Sequence, residues 1–157
     1  MADFAHLYKL MVTWTGNLGP GTASYTAYGR DHLVRAPGKP DLALSADPAF
    51  RGNPGLYNPE ELLLAALASC HMLSFLHLCA NGRIIVGAYE DNPCGRLIIP
   101  RGGKGHFEWV ELRPKVAIKA GNADEALQLH HGAHETCFIA NSVNFPVRVT
   151  PEIVVNL

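Results

Sequence analysis

Charge is scarce in this 157-residue sequence: Lys, Arg, Asp and Glu supply 17% of it against 48% hydrophobic residues, and the formal net charge is −1. No basic field is left over to attract a phosphate backbone, which excludes nucleic acid as a partner. Hydrophobicity is too high for a disordered chain, and the length suits a single domain over residues 1–157. The opening stretch MADFAHLYKLMVTWTG lacks a basic region followed by a long apolar run, so it does not read as a secretory signal. Without that signal the four cysteines read as free or catalytic thiols rather than a disulfide framework, and the expected compartment is cytoplasmic. Internal repeats, low-complexity tracts, CxxC and HExxH patterns are all missing.

Lys, Arg, Asp and Glu are absent altogether from Leu62 to Ala80, LLLAALASCHMLSFLHLCA, a run long enough to cross a bilayer. Ser69, His71, Ser74 and His77 interrupt it, two acids precede it, and no positive cluster marks a cytoplasmic flank. The reading is therefore a central helix buried inside a globular fold, with no membrane contact. Its start is sharply signalled. Asn58 is a good N-cap, Pro59 takes the first helical position, and Glu61 stands three residues after the cap. Asn81-Gly82 supplies the stop.

Around this helix the pattern alternates between strands and turns. Residues 7–28 read as two strands joined by a turn at Gly16–Gly21, and Gly29-Arg30-Asp31 as a polar turn before a short strand, HLVRA. Residues 37–55 are rich in Pro, Gly, Asp and Ala, too long for an idle connection, and read as a functional loop. Strands follow at 83–90 and 95–99, split by Asp91-Asn92-Pro93, and one long alternating strand at 106–119. Asn122 caps a second helix running towards Phe138, and residues 146–155 close the chain as a strand with an edge or bulge at Pro151. The fold class is α+β, with mixed and antiparallel sheets packed around the long buried helix.

Chemistry has two candidate centres, Cys70 midway along the first helix and Cys137 near the end of the second. A thiol attacks a peroxide only as thiolate, and a nearby cation is needed to favour that form. Arg30 is the candidate cation, and Glu60 or Glu61 the carboxylate to pair it. Glu60 lies ten residues from Cys70, ~15 Å along a straight helix. Either the helix breaks between them, or Glu60 meets the Cys70 of a second copy in a two-fold dimer, which also accounts for a helix apolar on every side.

NPEELLLAALASC at 58–70 and AHETCFIANSVNFPV at 133–147, with the GRD turn at 29–31 before them, closely resemble the osmotically inducible protein C/organic hydroperoxide resistance family, in its OsmC-like branch. The resemblance implies an intertwined homodimer with two sites at the interface. It implies that Cys70 is the peroxidatic cysteine and Cys137 the resolving one, with Arg30 and Glu60 activating the first. It further implies reduction of organic hydroperoxides in stress defence through a sulfenate and then a disulfide. An external dithiol such as a dihydrolipoyl group would restore the thiols, with no metal, flavin or haem. Phe50, Tyr57, Leu73, Phe138 and Phe145 are the candidate walls of an apolar substrate pocket. Well-studied members carry Pro directly after the second cysteine, where this chain has Phe138.

Two rivals remain. His130 and His134, spaced i, i+4 beside Cys137, could hold zinc with one or two more ligands, against a reading of His130, His131 and His134 as a solvated or hydrogen-bonded face; stoichiometric metal in purified protein would favour zinc. A non-catalytic small-ligand-binding protein would carry a bound apolar ligand and lose no thiol to peroxide. Cysteine-hydrolase chemistry lacks a placed base, because His71 lies about 100° round the helix from Cys70. Cys79 and Cys94 read as structural.

Overall fold

A computed structural model describes residues 4–155. The chain divides after Leu62 into two compact units. In the first, β1 (Met11–Trp14), β2 (His32–Arg35) and β3 (Leu42–Leu44) form an antiparallel sheet in that order. The stretch expected to be a hairpin contains β1 alone; residues 15–31 are turns, because glycine and proline at 16–21 leave too few consecutive residues to pair. The expected loop at 37–55 holds β3 and a 3-10 turn at Pro48–Phe50, capped by the Asp47 carboxylate on the Ala49 amide at 2.7 Å.

The helix α1 (Pro59–Asn81) begins with a reciprocal capping box. Asn58 Oδ1 accepts the Glu61 N–H at 2.9 Å, and Glu61 Oε2 accepts the Asn58 N–H at 3.0 Å. In the second unit β4 (Ile85–Asp91), β7 (Pro114–Ala120) and β9 (Glu152–Val155) make one sheet in the order β4-β7-β9. The strands β5 (Cys94–Ile98), β6 (His106–Leu112) and β8 (Val147–Val149) make another, ordered β5-β6-β8. The last strand of each sheet runs parallel to its neighbour. The helix α2 (Ala123–Thr136) is capped by Asn122, whose side chain accepts the Glu125 N–H at 2.9 Å.

The sequence at 106–119 and at 146–155 is therefore not two strands but four. Proline explains both breaks: Pro114 and Pro151 cannot donate to the ladder they follow, and the chain leaves one sheet for the other at each. Glu111 ties the two crossings together. Its Oε2 accepts from Arg113 at 2.6 Å and its Oε1 from the Thr150 hydroxyl at 2.9 Å.

Two apolar cores result, and α1 serves both. Leu67 is buried with Val110 and Leu112 beneath β6, with Leu63, Leu64 and Phe145 packed around them. Phe75 and Cys79 are buried with Ile84, Val116, Ile118, Ala126 and Ala133 between β7 and α2. Although α1 has the length and composition of a membrane span, its stripe at Leu67, His71, Phe75 and Cys79 is spent on the chain's own core. Burial on all sides does not occur in the single chain: Ala65, Ser69, Leu73 and His77 on the opposite face are exposed.

Candidate active site

Cys70 and His71 sit on α1 between the two cores, after Leu67 and before Phe75. Cys70 is half-buried and Cys137 is 1% exposed; both are free thiols. Cys137 lies just past the end of α2 on the face that Ala126, His130 and Ala133 bury. Its Sγ accepts the Ala140 N–H at 3.4 Å and neighbours the Cys70 thiol. Burial first, and that contact second, push the Cys137 thiol up to about 11, so it stays protonated at neutral pH. The structure thus brings the two sequence-predicted thiols together, one within reach of solvent and one sealed.

Next to them is a pair that sequence reasoning did not connect, having weighed His71 as a base for Cys70 and His130 as a zinc ligand with His134. His71 Nε2 and His130 Nδ1 are 3.0 Å apart, both rings buried. The His130 ring lies nearly parallel to His71 (centroids 5.2 Å apart, planes at 10°) and to Phe75 (3.9 Å, 10°). Burial holds both imidazoles down at about 4, with His134 adding to the effect on His71 and His71 to that on His130. The signal was present in the buried i, i+4 stripe of α1 and the 126/130/133/137 spacing of α2. It was unreadable on α1 because that helix is apolar on both faces, so periodicity does not mark the buried one.

The remaining candidates divide by unit. In the first unit Gly16 packs so closely on Gly29 that a Cβ there would stand 2.0 Å from the Gly29 carbonyl oxygen. The Gly29 N–H donates to Gly16 at 2.8 Å, and the Trp14 indole donates to Gly29 at 2.9 Å. Asp31 Oδ1 accepts the Ser45 hydroxyl at 2.8 Å. The turn between them presents Arg30, whose guanidinium donates to the Tyr28 carbonyl and, at 2.8 Å, to the Tyr25 carbonyl. It also lies over both tyrosine rings, at 4.1 Å and 4.4 Å. Among the described residues Arg30 makes no ion pair. Glu61 is engaged in the helix cap, whereas Glu60 Oε2 is buried with no hydrogen-bond partner.

Of the five candidate wall residues, Phe145 packs into a core against Phe107, 5.4 Å between centroids. Leu73, Phe138, Tyr57 and Phe50 are exposed. Among the described residues no three side chains of ligating type gather to hold a metal. His131 instead faces Glu135 at 3.3 Å. Cys79 is buried and pushed up to about 11 by desolvation, as an inert core thiol is. Cys94 reaches Glu111 only at 4.0 Å.

Comparison with known proteins shows the family. Residues 52–152 match the family model described as OsmC-like protein. An OsmC-like protein of unknown function from Vibrio cholerae is 35% identical, with a TM-score of 0.82 over 96% of this chain and 100% of that one. An organic hydroperoxide resistance protein from Legionella pneumophila, 24% identical, superposes with a TM-score of 0.64 over 95% of this chain and 98% of its own. One from Elizabethkingia anophelis, 22% identical, gives 0.67 over 98% and 100%. Among curated proteins none matches in sequence. The chain belongs to the OsmC-like protein family.

Proposed function

We propose that this protein is a cysteine-based peroxidase that reduces organic hydroperoxides in stress defence, with Cys70 as the attacking thiol and Cys137 as the resolving one. The observation that carries the proposal is the placing of the two free thiols as neighbours, one half-buried and one sealed. A sealed thiol held near 11 is a poor nucleophile at neutral pH, so first attack falls to Cys70. The Cys70 thiolate takes the terminal oxygen of the hydroperoxide, the O–O bond breaks, and the alkoxide leaves as alcohol after gaining a proton. Cys137 then attacks the Cys70 sulfenic acid; the S–S bond forms and water leaves. An external dithiol, such as a dihydrolipoyl group, restores both thiols by exchange and becomes a disulfide itself. The cycle as proposed uses no metal, flavin or haem, and its proposed setting is cytoplasmic.

The working unit in this proposal is a homodimer. The helix α1 is continuous from Pro59 to Asn81, so ~15 Å of rise separates Glu60 from its own Cys70. Glu60 retains an unpartnered buried oxygen, and Leu73, on the exposed face of α1, is 63% accessible. A second copy would cover that face and bring its Arg30 and Glu60 to this chain's Cys70. Exposed Leu73 and Phe138 would then line the apolar approach for the hydroperoxide.

Thiols are counted on reduced protein before and after one equivalent of cumene hydroperoxide. Wild type is expected to lose two thiols, Cys137→Ser to give a trapped sulfenic acid, and Cys70→Ser to lose none. Retention of all four thiols in wild type sinks the peroxidase reading and leaves the non-catalytic carrier.

A further inference from the structure

We propose that His71 and His130 form a positioning pair that holds the Cys70 and Cys137 sulfurs in register for disulfide formation. The use of the pair rests on the cysteine-pair reading above, but the pair itself is read from α1 and α2. A disulfide tolerates little error: its bond is about 2.05 Å and its Cβ atoms sit about 3.8 Å apart. The two sulfurs come from separate elements, Cys70 from α1 and Cys137 from the end of α2. Most of what joins those helices is apolar, Phe75 and Cys79 against Ala126 and Ala133. Apolar contact is non-directional and allows rotation and sliding. Among the described hydrogen bonds, His71 Nε2 to His130 Nδ1 at 3.0 Å is the one that joins α1 to α2.

Its placement fits the task. Cys70 and His71 are about 100° apart round α1. A single contact at Cys70 leaves the helix free to turn about it; a second contact, 100° round, fixes the turn. On α2, His130 lies seven residues before Cys137 on the same buried face, about 10 Å along the axis. The two contacts are therefore well separated on one helix and angularly separated on the other, which fixes tilt as well as rotation. The His130 ring is further slotted against His71 and Phe75, one turn apart on α1, with both plane angles at 10°.

Stability alone does not explain the pair. His71 Nδ1 and His130 Nε2 are buried with no partner. Two unsatisfied nitrogens cost free energy that an apolar pair of the same shape would avoid. What the imidazoles add over such a pair is direction.

The test reads geometry without peroxide. Full-length wild type, His71→Phe, His71→Gln and His71→Phe/His130→Phe are equilibrated in glutathione buffers, and the Cys70–Cys137 disulfide is quantified by alkylation and mass spectrometry. The effective concentration of the thiol pair is expected to fall at least tenfold in His71→Phe and in the double variant. His71→Gln, whose amide can still bond His130, is expected to stay within about threefold of wild type. The reduced double variant is expected to unfold near the wild-type midpoint, because both polar partners are removed together. Equal effective concentrations in wild type and the phenylalanine variants overturn the proposal, as does an equal fall in the Gln and Phe variants. Wild type that equilibrates with glutathione but leaves cumene hydroperoxide intact overturns the peroxidase reading alone and leaves the pair standing.

Discussion

Acid should destabilise this protein well before its carboxylates titrate. His71 and His130 are held at about 4 in the fold, against an ordinary 6.5, chiefly by burial. The unfolded chain therefore binds more protons than the native one between pH 6.5 and pH 4, and stability falls as pH drops through that window. Holding an imidazole at about 4 instead of 6.5 is worth about 3.4 kcal/mol once pH is below both values. Between pH 7 and pH 5 the same relation gives about 2 kcal/mol for each. The rings touch, so the two do not add fully, and the expected loss is about 2 to 4 kcal/mol. That is a large fraction of the 5–15 kcal/mol typical of a domain.

Other groups do not mimic the effect. Burial raises Asp91, which works in the opposite sense, since the folded state then binds its proton first. Glu111 is lowered by its bond from Arg113, so its titration lies at more acid pH. The assay is urea unfolding of the reduced protein at pH 7, 6 and 5, followed by far-UV circular dichroism. With an m-value of about 2 kcal/mol/M, the midpoint should fall by about 1 to 2 M between pH 7 and pH 5. His71→Phe/His130→Phe should flatten most of that slope. A midpoint that does not move in wild type, or a slope unchanged in the double variant, refutes the reasoning.

Three further outcomes follow from single contacts. Asn58→Ala removes one half of the capping box on α1 and is expected to cost about 1 kcal/mol in urea unfolding; no loss would mean that packing of the first turn holds the helix start unaided. Leu67→Ala opens a cavity in the core beneath β6, at an expected cost of about 2 to 5 kcal/mol read from the same titration. Gly16→Ala drives a methyl to within 2.0 Å of the Gly29 carbonyl, so the turn carrying Arg30 must move. Peroxide-dependent thiol loss in Gly16→Ala is expected to slow at least tenfold, with a wild-type rate showing that Arg30 has no part in it.

What the residues disclosed, and what they hid, divides along one physical line. The start of α1 was legible because a capping box is local: Asn58, Pro59 and Glu61 carry the whole signal within four positions. Asn122 disclosed α2 in the same way. The four short strands at 106–120 and 147–155 were merged into two because alternation continues through Arg113-Pro114 and Thr150-Pro151, and only pairing partners reveal the change of sheet. Contacts between distant segments were the hardest to see. Cys70 and Cys137 were singled out by the family resemblance of the segments that carry them, and nothing local declared that they are neighbours. His71 and His130, 59 residues apart, were weighed separately, and nothing local linked one to the other. On α2 the spacing 126, 130, 133, 137 marks His130 as inward, but α1 offers apolar residues on every face and so conceals which histidine meets it. The concealment has a cause: a helix whose second face is reserved for another surface cannot be amphipathic. By that argument the missing polar face of α1 and the unpartnered Glu60 oxygen are one observation, and sedimentation of the reduced protein should give twice the mass of a single chain. A monomer at micromolar concentration would leave both unexplained and would remove Arg30 and Glu60 from the proposed chemistry.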